Sequence, residues 1–159
     1  MKKKTKILSA VCVVLLLSCM LLIGRDVQAQ DERRQIDGSY LTHDSESIGY
    51  DTKITRGQYL MTGYSKCVER GVGKVYVGGS TIATETVERV GVGVTVERAQ
   101  EGDEAWSYYD GWIKFNENAD RVMSNRLLEV EGGYYYRVRC IHSANDDVSS
   151  SFTDGVYIE

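Results

Sequence analysis

The most regular pattern in the chain is a period-two alternation between Val87 and Arg98. Within 90–96 every even position is Val, and the odd positions are Gly, Gly and Thr. Because successive side chains of a strand point to opposite faces, this segment predicts a strand with one valine face and one nearly bare face. Glycine inside a strand costs stability, and it usually marks a bulge or the close approach of another group.

Shorter segments with turn residues between them continue along the chain. Their patterns predict strands at 59–69, 74–77, 81–84, 106–115, 127–131, 134–142 and 155–158. Gly132-Gly133 is typical of a hairpin turn between two of these strands. We expect 116–125 to be a loop with one helical turn, because its apolar residues have helical spacing in a stretch too short for a stable helix. The Ser-rich segment 145–151 is also predicted to be a loop.

Composition agrees with this pattern. In residues 30–159, Val, Ile, Thr and Tyr far outnumber Leu, Ala and Met. Such β-branched and aromatic side chains fit a pleated surface and lose rotamer freedom in a helix. The prediction is an all-β fold: a single β-sandwich or jelly-roll-like antiparallel domain over 40–159, preceded by a flexible N-terminal arm at 30–39.

The N-terminus has the pattern of an export signal. Four lysines precede the apolar run Ile7–Ile23, and Val27 and Ala29 are small residues suited to positions −3 and −1 of a cleavage site. This predicts a signal peptide at 1–29, cleaved after Ala29, and a secreted protein. Two alternatives stay open. The residues before Cys19 loosely resemble a lipidation motif, and the apolar run is at the lower length limit for an uncleaved membrane anchor.

Net charge narrows the range of partners. The whole chain has 19 basic and 23 acidic residues. Removal of 1–29 takes away five basic residues and one acidic residue, which leaves 14 − 22 = −8. A nucleic-acid-binding protein needs a basic surface to neutralise phosphates, and an anionic membrane would repel this charge. We therefore expect no nucleic-acid partner and, after processing, no membrane association.

Two cysteines, Cys67 and Cys140, belong to the predicted domain, and the parity of each strand directs both towards the core. Two cysteines in an exported domain most often form one disulfide, so we predict this bond, which is worth about 4 kcal/mol for so long a loop. The alternative is a nucleophile at Cys140 with His142 as its base. It is weak, because strand neighbours two positions apart are separated by about 6.6 Å at the backbone.

No motif for a metal, a cofactor or a catalytic group is found in the sequence. The His and Cys residues lack the close pairs of a zinc site, and Asp146-Asp147 lacks the calcium-loop pattern. We therefore expect no cofactor, no metal and no catalytic residue. The carboxylates of a glycosidase converge in space and leave no sequence motif, so a glycoside hydrolase stays an alternative.

One aromatic segment is the best candidate for ligand binding. Trp106, Tyr108 and Trp112 share a parity, with Tyr109 beside them, so the pattern predicts rings aligned along one sheet face. Flat rings beside polar groups suit a sugar ligand. The alternative is that these rings fill the core, where each buries about 150–250 Å².

Three segments resemble a known family. They are the valine run ending in Glu97-Arg98, the aromatic segment 106–112, and 132–143 with the sequence GGYYYRVRCIHS. Together they resemble a family of small secreted Gram-positive (Firmicutes-type) bacterial proteins of unknown function, over about residues 40–158. The resemblance implies export and one β-sandwich domain, and it brings no active-site residues. Residues 133–141 also resemble a late strand of fibronectin type III domains.

These observations support an exported, non-catalytic protein with a binding or adhesion role at the cell surface or in the medium. A protein or a glycan is the expected partner, and the oligomeric state is left open by the sequence. The alternatives are a carbohydrate-binding module that uses the aromatic segment and a glycoside hydrolase with scattered carboxylates.

Overall fold

The structure is a computed structural model that describes residues 34–52 and 57–159. The predicted signal peptide lies outside the described residues. Arg33–Glu159 is compact by its own contacts. Across the described ranges the chain is all β, and these ranges contain no candidate membrane-spanning helix. The strands are β1 (Gln35–Ile36), β2 (Ser39–Thr42), β3 (Glu46–Tyr50), β4 (Leu60–Glu69), β5 (Lys74–Ala99), β6 (Ser107–Glu129), β7 (Tyr134–Ala144), β8 (Asp147–Phe152) and β9 (Gly155–Ile158).

Two long strands, β5 and β6, organise the sheet. They pair antiparallel along their length, with an irregularity between Ile82 and Val87. Asn118 of β6 lies near that irregularity and has a positive φ of 48°. Both strands bend at this level, so each has two straight halves. The first half of β5 pairs with β4, and its second half pairs with β7.

The bend curls the sheet into a half-barrel of the β-sandwich type. The strand order is β1-β2-β9-β7-β5-β4-β3, with β6 paired to β5 and β8 paired to β7. The pairing of β2 with β9 is parallel, so the sheet is mixed. The predicted all-β, sandwich-like class is confirmed. The parallel pair is the departure from an antiparallel domain, and it arises because β2 adds beside the last strand of the chain.

The core lies between the two halves of the curled sheet. The even-numbered valines from Val90 to Val96 are buried and contact the buried valines of the first half of β5. The curl brings β4 against β7, where the Cys67 thiol lies 3.3 Å from the carbonyl oxygen of Tyr136. The predicted valine face of this segment is the inner face of the sheet.

A second, smaller cluster covers the outer face at one end of β7. It contains Ile36, Leu41, Ala99 and Tyr135, with Trp106 packed against them. Residues 34–39, predicted to belong to a flexible arm, here form β1 and the start of β2. The physical reason is burial: Ile36 and Leu41 gain an apolar environment only by docking on the sheet.

Four local predictions are wrong. The segment predicted as three strands between 74 and 98 is the single strand β5, and 116–125 is part of β6. The predicted loop 145–151 contains most of β8. No hairpin pairs the segments on either side of Gly132-Gly133, because β7 pairs with β5, β8 and β9. In each case the segment's structure depends on which strand it pairs with in the folded sheet, and the local sequence pattern does not show that partner.

Candidate functional site

The bare face predicted for β5 becomes the floor of a groove on the outer face of the sheet. Gly93 lies in register between Ile113 of β6 and Ile141 of β7. These two isoleucines are 68% and 58% exposed, respectively, and they form the walls. The groove is open and has a volume of about 440 Å³. Its lining residues are Gly93, Val94, Thr95, Tyr108, Gly111, Trp112, Ile113 and Ile141.

The apolar surface extends beyond the groove along the register rows. We use the name outer face for the outward positions of β7, of β8, of the second half of β5 and of the part of β6 that pairs with that half. Its large exposed apolar side chains are Tyr108, Ile113, Phe115, Ile141, Val148 and Phe152. Isolated exposed apolar residues are normal on a protein surface, whereas a contiguous group marks an interaction site.

Gly93 has room for a larger side chain. A Cβ placed on Gly93 would lie 3.7 Å from Ile113 and 3.9 Å from Ile141, which is ordinary van der Waals contact. Its φ is not in the left-handed region. Gly91 differs, because a Cβ there would lie 2.5 Å from the Phe115 ring. The packing around Gly91 therefore excludes a side chain, whereas the fold of a single chain does not require glycine at position 93.

Charged side chains border the outer face at both ends. The Arg89 guanidinium lies over the Phe115 ring at 3.6 Å from its centroid. At the other end, Arg139 donates to the Asp37 carboxylate at 2.6 Å. Hydrogen bonds from Arg137 and then Arg139 hold the pKa of Asp37 below its usual range.

Arg137, in the row next to Arg139, is a buried structural cation. It donates to Asp37 at 2.8 Å and to Glu97 at 2.7 Å, and its guanidinium lies 4.6 Å from the centre of the Trp106 ring. Another of its nitrogens donates to the Ser39 hydroxyl. These contacts connect the β1–β2 hairpin to the sheet, and they engage most of the N–H donors of the Arg137 guanidinium.

The predicted aromatic platform does not form, because a β-bulge interrupts the parity. Along β5, Val96 pairs with Asp110 and Glu97 pairs with Tyr108, so Tyr109 is an extra residue. Tyr108 consequently lies on the outer face and is 69% exposed. Trp112 pairs with Val94 on the inner face. The expectation of rings aligned on one face is therefore wrong.

The other three rings of that segment have structural partners. The Trp106 indole donates to the Ile36 carbonyl at 2.8 Å. The Trp112 indole donates to the Ser124 hydroxyl at 2.9 Å. The Tyr109 ring packs edge-on against Tyr136 at 5.4 Å. Only Tyr108 of the four predicted binding residues offers a largely exposed ring.

The predicted disulfide between Cys67 and Cys140 is absent. Both residues are free thiols and both are fully buried. The Cys67 sulfur contacts the carbonyl of Tyr136, which is four residues from Cys140 and therefore about 13 Å away along β7. Disulfide geometry requires Cα atoms about 4.4–6.8 Å apart. The inward orientation predicted for both side chains is confirmed, but they lie at different levels of the core.

His142 is a buried member of a hydrogen-bond chain. The Thr81 hydroxyl donates to the carbonyl of Gly91 at 2.8 Å, so it accepts from Nδ1–H of His142 at 2.9 Å. The Ser151 hydroxyl then donates to Nε2 at 2.8 Å. Burial lowers the pKa of His142 to about 4, an effect that Asp51 partly opposes. The imidazole is neutral and closed off from solvent, which does not suit a catalytic base for Cys140.

No metal site emerges in the described part of the chain. No group of three or more His, Cys, Asp or Glu side chains there is placed to hold a metal ion. Among the lining residues whose positions point outward, Thr95 and Tyr108 carry side-chain hydroxyl groups, and the others are glycine or isoleucine.

Two carbonyl groups of β6, whose outer edge has no strand partner among the described residues, are capped by side chains of β6 itself. Lys114 donates to the carbonyl of Met123 at 3.0 Å, and Asn116 donates to that of Arg121 at 2.9 Å. Such devices, together with the bulge, protect an edge strand against pairing with another chain. Face recognition is therefore favoured over strand addition at this edge.

The sequence analysis missed the isoleucine walls. Ile113 and Ile141 lie in different strands, 28 positions apart, and single exposed apolar residues have no motif. The available signal was the bare face of β5, which indicated close approach by another group without naming the neighbouring strands.

Comparison with known proteins adds little. No family model matches the chain, and no curated protein matches it. The solution structure of R. palustris CsgH is similar over 57% of this chain and 87% of that chain, with 18% sequence identity and a TM-score of 0.39.

Proposed function

We propose that the protein is an exported, non-catalytic binding protein whose outer face recognises apolar side chains of an extended polypeptide. The observation that carries this proposal is the groove over Gly93, with one exposed isoleucine on each side. The walls stand on the strands that flank β5, so they are about 10 Å apart. That width suits one row of side chains from an extended chain.

The residues that line the groove support a binding function over a catalytic one. Its exposed walls are hydrocarbon, and burying such a side chain contributes about 1.5–3 kcal/mol. A sugar ligand would need several exposed flat rings, and Tyr108 alone offers one among the predicted four. Polypeptide recognition is therefore the function that this geometry supports best.

Peptide selection tests this proposal. Random peptides displayed on phage are selected against the processed protein, and the dissociation constant of the best peptide is measured for two double variants. Ile113→Ser with Ile141→Ser removes the walls. Met123→Ser with Leu127→Ser makes the same kind of change at two exposed apolar residues of β6 that lie outside the outer face, beside the first half of β5.

We expect peptides with alternating apolar residues, and at least about tenfold weaker binding to the wall variant. The control variant should bind as the unmodified protein does. Equal loss in both variants, or no loss in the wall variant, would contradict the proposal, as would binding to a glycan array without any peptide binding.

The export component has its own test. The chain expressed with its N-terminus intact in a Gram-positive host should be recovered from the medium with a mass beginning at Gln30. A lipidated mass beginning at Cys19, or an intact chain in the cytosol, would contradict it.

A further inference from the structure

We propose that two copies of the protein associate through the outer face, with Ile141 of each copy seated over Gly93 of the other. This inference rests on the proposed role of the outer face as a recognition surface, and it names a second copy as the occupant.

The size of the apolar surface fits this occupant. The six exposed side chains of the outer face, three of them aromatic, leave on the order of 600 Å² of apolar area accessible. The largest patch of a typical monomer is about 300–600 Å², and one side of a stable interface buries about 800 Å². The outer face together with its polar border therefore provides about the area that a dimer needs.

The central row of the outer face is self-complementary in size. From β6 to β8 this row reads Ile113, Gly93, Ile141, Ser150. The order is large, small, large, small. Consider a twofold axis that lies between the two copies, parallel to the strands and midway between β5 and β7. It places β5 of one copy over β7 of the other, and β6 over β8. Each large side chain of the row therefore faces a small one of the second copy. Twofold interfaces are built from such self-matching surfaces.

The adjacent row follows the same rule. It reads Gly111, Thr95, Arg139, Phe152. The same axis places Phe152 over Gly111 of the second copy, and Arg139 over Thr95.

The row on the other side of the central row matches the second copy through apolar contact. That row reads Phe115, Gly91, Ser143, Val148. The axis brings Phe115 against Val148 of the second copy, while Gly91 lies over Ser143. Packed sheets approach to about 10 Å when their side chains interdigitate, and the glycines in these rows permit that approach.

Gly93 provides the independent argument. The single chain accommodates a Cβ at this position at ordinary contact distances, with no backbone reason for glycine. In the dimer the same position receives Ile141 of the second copy, so any side chain there competes with the partner.

Sedimentation equilibrium of the processed protein over a range of concentrations tests the inference. The unmodified protein should dimerise. Gly93→Val overfills the contact and Ile141→Ala empties it, so each variant alone should dimerise roughly tenfold or more weakly. The control is Met123→Ala, which lies outside the outer face and should dimerise as the unmodified protein does.

Mixing the two weak variants gives the sharper result. In a mixed dimer one contact is native, and in the other contact the shortened side chain at position 141 faces the enlarged side chain at position 93, which restores the volume. The 1:1 mixture should therefore recover association. A protein that stays monomeric at all concentrations, or a mixture that stays as weak as its components, would overturn the second-copy inference. Peptide binding that persists in a monomer would leave the proposed function standing, and loss of both would overturn both.

Discussion

At the scale of single residues, the most constrained group is His142. Its ring is closed in by β4 as well as by its hydrogen-bond partners, because a Cβ at Gly63 would lie 2.2 Å from it. In the neutral form Nδ1 donates to the Thr81 hydroxyl and Nε2 accepts from the Ser151 hydroxyl. Protonation would put a positive charge on a buried ring, and burial disfavours the charged form. The nearby charge that favours protonation is the Asp51 carboxylate.

The stability of the protein should therefore fall with acidification. The pKa of His142 is about 4 in the folded protein and 6.5 in an unconstrained histidine, so the unfolded state binds the proton first. This contribution is fully present above pH 6.5 and decreases as the pH falls towards 4, by about 3 kcal/mol in total. Urea unfolding between pH 7 and pH 4 measures it. The slope should largely disappear in His142→Gln and persist in His43→Gln, and a slope unchanged in His142→Gln would refute the assignment.

The two thiols give a second residue-scale prediction. Burial raises the pKa of Cys67, and it raises that of Cys140 to about 12, so neither forms the reactive thiolate in the folded protein. In the processed protein a thiol reagent should find no reactive group before denaturation and two after it. Finding none in denaturant would show that the cysteines are bridged.

At the scale of elements, the β1–β2 hairpin is held by a buried arginine. Arg137 connects the exposed Asp37 of the hairpin turn with the mostly buried Glu97 of β5. Loss of Arg137 leaves Arg139, 3.8 Å away, as the cation beside Glu97, and breaking a pair with a buried partner costs about 3 kcal/mol. The polar turn Asp37-Gly38 gave no indication of this contact in the sequence, because its arginine lies 100 residues away.

Arg137→Met should lower the free energy of unfolding by about 3 kcal/mol. Arg121→Met is the matched control: Arg121 is exposed and pairs with Asp120 at 3.5 Å, so its loss should cost less than about 1 kcal/mol. Equal midpoints in denaturant for the two variants would contradict the structural role of Arg137.

The bend in β6 depends on one left-handed residue. Asn118 has a φ of 48°, a conformation that asparagine and glycine adopt more readily than other residues. Asn118→Val should destabilise the protein by about 1–2 kcal/mol, whereas Asn118→Gly should have a small effect. Chemical denaturation of both variants measures this, and similar stability in the two would show that the bend does not need this conformation.

At the scale of the whole molecule, the sequence contains the strands more clearly than their arrangement. The valine alternation of β5 predicts its inner face correctly, because burial on one side imposes a period of two. The two ends of β6 are predicted as the strands 106–115 and 127–131, whereas its middle is missed because its outward side and free edge face solvent, so residues 116–125 have no alternation to detect. The outer groove was only partly predictable: Gly93 marks a bare position, but the flanking isoleucines come from strands joined to β5 by long-range pairing.

The central claim is that binding occurs on the outer face over Gly93. Hydroxyl-radical footprinting by mass spectrometry tests it most directly, with the processed protein compared free and saturated with a selected peptide, both at a concentration too low for the protein to dimerise. The account predicts strong protection of Ile113, Phe115 and Ile141 on binding, with Met123 and Leu127 oxidised as before. Protection confined to Met123 and Leu127, or equal protection on both surfaces, would contradict it.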